Sequence, residues 1–138
     1  MKKIVLDNEL FMTEVNSYLN SGQTVEIKVR GHSMLPFYRH EKTVVSLKKK
    51  DDYVVNDVVL FKYQNQYILH RIIKIKNDFY HILGDGSFTV HVLGKEDILG
   101  YVLDFKTNGK QIKNYMFKVK LWRLFSPFKR ILLKFVRK

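Results

Sequence analysis

A serine does chemistry when a turn holds its hydroxyl exposed on a rigid support. Gly31-His32-Ser33-Met34-Leu35-Pro36 supplies the residues for such a turn at the end of a predicted strand. Its spacing is superficially that of a hydrolase nucleophile elbow, but Leu35 stands where the closing glycine belongs and Pro36 follows in place of a helix. Spacing alone therefore makes Ser33 a turn residue whose hydroxyl bonds nearby backbone. His70, between Ile68 and Ile72 in sequence order, is either a proton acceptor titrating near neutrality or a satisfied, partly buried histidine. Asp85 lies between Gly84 and Gly86, where a turn suffices to explain it. The chain has no cysteine, which removes thiolate nucleophiles, disulfides and cysteine zinc sites, and which fits a reducing compartment. His32, His40, His81 and His91 lack ligand spacing such as H-E-x-x-H, so neither a metal centre nor a cofactor is expected.

Elements that would position these residues follow from periodicity. Residues 7–20 read as a helix, with Asp7 or Asn8 as cap, Leu10, Phe11, Val15, Tyr18 and Leu19 at helical spacing, and Ser21-Gly22 as its close. The pattern then turns to alternation, predicting strands over 24–30, 43–47, 58–63, 67–76, 79–83 and 98–105. Gln64-Asn65-Gln66 and Asn77-Asp78 are the turn signals between three of them. Beyond the turn at Thr107-Asn108-Gly109, helical spacing resumes over 113–125. Ser126-Pro127 reads as a cap with proline in the first turn of a last helix. The expected organisation is an N-terminal helix packed on the body (1–22), a mainly β body of α+β class (23–109) and a basic helical tail (110–138). A length of 138 residues suits one domain. The N-terminus reaches an acid too early for a signal peptide, and no apolar run approaches the ~18 residues of a spanning helix.

Four boxes in order give the serine a context. Ser33-Met34-Leu35-Pro36 is followed by Asn56-Asp57-Val58-Val59-Leu60-Phe61, Leu69-His70-Arg71-Ile72-Ile73 and Leu83-Gly84-Asp85-Gly86-Ser87. Over about residues 24–105 this resembles the serine-peptidase superfamily of type I signal peptidases and LexA-like self-cleaving repressors. Where the bacterial members place a lysine base, this chain has His70, and in that respect it is similar to the endoplasmic-reticulum and archaeal signal-peptidase branch. The resemblance implies a coiled β-sheet body and a Ser33–His70–Asp85 arrangement. Ser33 would attack a peptide carbonyl, His70 would carry its proton, and Asp85 would fix the imidazole tautomer. Arg71 and Asp57 would be structural, pairing across strands or bracing a turn. The sequence departs from the family in having Gly31 where some signal peptidases use a serine hydroxyl to bind the oxyanion. It also has only a short helix where signal peptidases carry a spanning anchor, and thirty residues where LexA relatives carry a DNA-binding domain.

The formal net charge of +12 divides unevenly. Residues 1–104 carry 14 basic and 13 acidic side chains, whereas residues 105–138 carry 11 basic side chains and no acid. In the last helix Phe128, Ile131, Leu132, Phe135 and Val136 fall on one face, with Lys129, Arg130, Lys134, Arg137 and Lys138 on most of the others. Three uses compete for the tail: packing on the body, contact of 128–138 with an anionic membrane surface, or phosphate binding to nucleic acid. Membrane contact is favoured over nucleic acid, because the helix offers no Asn or Gln for base edges. These readings lead to a serine endopeptidase that processes a peptide or protein precursor, in the cytoplasm or peripheral on the cytoplasmic membrane face. The alternative is a catalytically inactive peptide-binding or regulatory module of the same fold.

Overall fold

The computed structural model describes residues 3–5 and 9–136. One eight-stranded sheet organises them, with three α-helices outside it. The strands are β1 (Lys3–Val5), β2 (Val25–Lys28), β3 (Thr43–Lys48), β4 (Val58–Tyr63), β5 (Gln66–Lys76), β6 (Phe79–Leu83), β7 (His91–Leu93) and β8 (Ile98–Thr107). Their spatial order is β1-β2-β3-β8-β4-β5-β6-β7, and every neighbouring pair is antiparallel except β1 with β2. The helices are α1 (Glu9–Asn20), α2 (Tyr115–Leu124) and α3 (Lys129–Val136). This is an α+β, mainly β fold, as the alternation predicts.

Local chemistry accounts for the central meander. Gln64 and Asn65 both have positive φ, as do Asn77 and Asp78. Two successive left-handed residues match the twist of a tight hairpin, so β4, β5 and β6 follow one another with two-residue connections. Shifts of register at Ser46/Leu47, Leu60/Phe61 and Ile72/Lys74 mark bulges, which bend strands and strengthen twist. The apolar residues form two cores. One gathers Met12, Val15 and Leu19 of α1 with Val25, Ile27, Val45, Leu47, Leu60 and Leu69; the other gathers Tyr53, Val59, Phe61, Ile72, Tyr80, Ile82, Leu93 and Ile98. Alternation along β5 explains the division, since Leu69 faces the first core and Ile72 the second.

The structure departs from the expectations in two respects. β1 and β7, three residues each, were too short to show a period. Ser126-Pro127 does not cap the last helix: Ser126–Phe128 forms a 3-10 turn, without a side-chain capping bond, and the α-helix starts at Lys129. The expected caps Asp7 and Asn8 lie outside the described residues. The tail, meanwhile, belongs to the body. Val119 of α2 is fully buried in the first core, with Tyr115 and Trp122 packed against it. On α3, Leu133 is buried, and so is Lys129. No helix among the described residues is long and apolar enough to cross a membrane.

Docking through this inner face sets an asymmetry that mutation can read. Val119→Ala removes apolar volume from a filled core and is expected to cost about 2 kcal/mol. Phe117→Ala, two residues away but exposed, is expected to change stability by less than about 0.5 kcal/mol. Urea denaturation of both variants at neutral pH checks the difference; equal losses would mean that α2 does not dock as described.

Candidate active site

Ser33 is exposed, in the turn that leaves β2. The turn is built by its own backbone: the Leu35 N–H donates to the His32 carbonyl (3.2 Å), and the N–H groups of Phe37 and Tyr38 donate to the Met34 carbonyl (3.1 and 3.0 Å). Met34, Leu35, Phe37 and Tyr38 are buried, so the turn is anchored by the residues after the serine while the serine faces outward. The Gly31 N–H donates to His40 Nδ1 (2.8 Å), which ties the start of the turn to its far end. Among the described residues no backbone hydrogen bond uses the Ser33 N–H.

Fifty residues further on, the Gly84-Asp85-Gly86 loop packs backbone to backbone against this turn. The Gly86 N–H donates to the Ser33 carbonyl (2.8 Å), and the Asp85 N–H points at Met34 Sδ (3.3 Å). Gly84 is the point of closest approach. A Cβ there would lie 2.4 Å from the Ser33 carbonyl oxygen and 2.7 Å from His70 Nε2, so only glycine lets the serine turn and the imidazole share this space.

His70 is 5% exposed and sits in β5 opposite Val59 of β4. Its ring lies 6.0 Å from that of Phe61 and 5.8 Å from that of His91. Burial, with smaller contributions from His91 and Lys129, lowers its pKa from 6.5 to about 4, so the imidazole is neutral at physiological pH. Neither ring nitrogen has a hydrogen-bond partner among the described residues. The Nε2 edge and the Ser33 carbonyl both border the space beside Gly84, but no hydrogen bond joins the imidazole to the serine.

Asp85 is not the partner of that imidazole. Its carboxylate takes a two-point bond from Arg71, Nε to Oδ1 at 2.9 Å and Nη2 to Oδ2 at 2.8 Å, with Arg71 1% and Asp85 5% exposed. The reason is strand geometry. His70 and Arg71 are adjacent and point to opposite faces of β5, and β5–β6 register sets Arg71 opposite Leu83, just before the loop. Gly84 therefore meets His70 and Asp85 meets Arg71. The tautomer-fixing role expected for Asp85 is replaced by an ion pair that holds the loop.

Sequence reasoning missed how far this cluster extends. Arg71 Nη1 also donates to the Asn56 carbonyl (2.9 Å), and Nη2 donates to the Tyr115 hydroxyl. Burial acts to lower the guanidinium pKa, but the charge and hydrogen bonds of Asp85 together with Tyr115 and Tyr38 raise it above the ordinary arginine value. Trp122 Nε1 donates to the Asp85 carbonyl (2.7 Å), and Phe37 stands edge-on to both Tyr115 and Trp122. Lys129 Nζ donates to the carbonyls of Ser87 and Gly84, the latter at 3.4 Å. Its burial lowers its pKa against the opposing influence of Asp85. Trp122 and Lys129 thus clasp the loop that carries Gly84 directly, and Tyr115 holds it through Arg71. The signal for Lys129 was its spacing of i and i+4 with Leu133, the one apolar residue on the basic side of the helix.

Asp85→Ala strands a buried guanidinium and is expected to cost about 3–5 kcal/mol, whereas the double variant Arg71→Met/Asp85→Leu should cost less than the single one. Urea titrations of the wild type and the two variants decide this; a double variant that costs as much as Asp85→Ala or more would contradict the pair. His70 gives a second expectation. Its pKa is about 4 when folded and 6.5 when unfolded, so the unfolded chain binds the extra proton between those values. Its contribution to stability is complete above pH 6.5 and is lost as pH falls through 4, amounting to about 2–3 kcal/mol by pH 4.5. A His70→Gln variant should show a correspondingly shallower fall in unfolding free energy between pH 7 and 4.5. No protein-family model matches the chain, and no curated protein matches it significantly.

Proposed function

We propose that the protein is a serine endopeptidase with a coiled-sheet body of the signal-peptidase and LexA type, acting on an extended peptide or a protein precursor. The observation that carries this reading is the junction at Gly84, where the backbone of an exposed serine and the Nε2 edge of a neutral, buried histidine meet across a missing side chain. Ser33 Oγ adds to the scissile carbonyl as His70 Nε2 takes its proton, and the C–N bond breaks as that proton passes to the leaving amine. Water then hydrolyses the acyl-serine with His70 again as base. The Ser33 N–H serves the oxyanion. Asp85 acts as a positioning residue, because with Arg71 it fixes the loop against which the serine turn rests. A cleft of about 100 Å³ beside Ser33, lined among others by Val29, Gly31, Tyr67 and Leu69, suits a small side chain next to the cleaved bond.

One observation favours the alternative, a peptide-binding module without turnover: the imidazole has no hydrogen bond to Ser33 or to an orienting acid. Incubation with an extended-peptide library, read as new N-termini by mass spectrometry, separates the two. The enzyme reading expects cleavage that falls at least about 1,000-fold in Ser33→Ala and in His70→Ala. No new termini that depend on Ser33, with peptides still retained by the protein, would establish the binding module instead.

A further inference from the structure

The face of the tail turned away from the body has its own pattern. Phe117, Leu121, Leu124, Phe128, Ile131 and Phe135 recur at intervals of four and three across α2, the 3-10 turn and α3, and each is between 42% and 72% exposed. The inward residues Tyr115, Val119, Trp122, Lys129 and Leu133 interleave with them. Isolated exposed apolar residues are ordinary, but six large ones at one helical spacing form a surface that water does not favour. Lys118, Lys120, Arg130 and Lys134 flank it and are exposed, and residues 105–138 contain no acid.

From this pairing of an apolar stripe with uncompensated positive charge, we propose that the outer face of α2 and α3 docks on an anionic lipid bilayer, the stripe entering the interface and the lysines meeting headgroup phosphates. Charge selects this occupant. A second copy of the chain would oppose one stretch of +11 over residues 105–138 to another, without the Glu residues that flank such a stripe in a coiled coil. Nucleic acid would satisfy the lysines and leave six apolar side chains in water. A bilayer satisfies both. The docking surface is separate from the Ser33 site and stands whatever that site does.

Co-sedimentation of the full chain with vesicles tests it. Binding to vesicles of 30% phosphatidylserine in phosphatidylcholine should exceed binding to pure phosphatidylcholine at least 10-fold, and should fall as salt rises from about 0.1 to 0.5 M. Leu124→Ser/Phe128→Ser should lower it at least 10-fold with the unfolding midpoint in urea unchanged, since both side chains are exposed. Lys118→Glu/Lys134→Glu should abolish the preference for anionic lipid. Equal binding by the wild type and the serine variant overturns the proposal. So does a tail-dependent dimer, or binding to duplex DNA, without binding to the anionic vesicles.

Discussion

A buried ion pair between Arg71 and Asp85 is the constraint on which the rest of the arrangement depends. Two charges taken out of water are costly unless nearly every hydrogen-bonding atom is satisfied, and here the satisfying groups come from distant parts of the chain. The guanidinium reaches Asp85, the Asn56 carbonyl ahead of β4 and the Tyr115 hydroxyl of α2. Asp85 in turn belongs to the loop whose backbone is bonded to the Ser33 turn and to Trp122. Moving any one of these would leave a charge without its partner, so the pair ties serine turn, loop, sheet and tail into one geometry.

The same alternation that delivers Arg71 to Asp85 isolates His70 on the opposite face. Beside Val59 and Phe61, the imidazole is held neutral by lack of solvation, and His91 and Lys129 act in the same direction. A carboxylate at the ring would fix the tautomer but favour the charged form, and among the described residues neither ring nitrogen has a partner. The division is therefore physical as well as topological: β5 carries charge on one face, for structure, and a neutral imidazole on the other, beside the serine.

Much of this was legible in residue patterns. The alternating runs and their Asn- and Asp-bearing turns located β2 to β6 and β8 to within a few residues, and the tail's spacing separated it into two helices. The ordered boxes named Ser33, His70, Asp85 and Arg71 as residues of interest. Which neighbour would receive the Asp85 carboxylate was not legible, because His70 and Arg71 differ by one position and only strand register decides between them. Lys129 was hidden for another reason. A lysine in a basic helix reads as solvated surface, and its burial depends on two carbonyls presented by a loop that helical spacing cannot reveal.

The clasp of tail upon loop has a consequence in time. Tyr115, Trp122 and Lys129 are made 30 or more residues after Asp85, and synthesis proceeds from the N-terminus. While the chain is growing, the sheet from β2 to β6 can pair, but the loop at Gly84 lacks the hydroxyl, indole and ammonium that immobilise it. The serine turn consequently acquires its rigid backing late, once residue 129 has emerged. Ordering of the loop that backs the Ser33 turn is thereby coupled to the synthesis of Trp122 and Lys129.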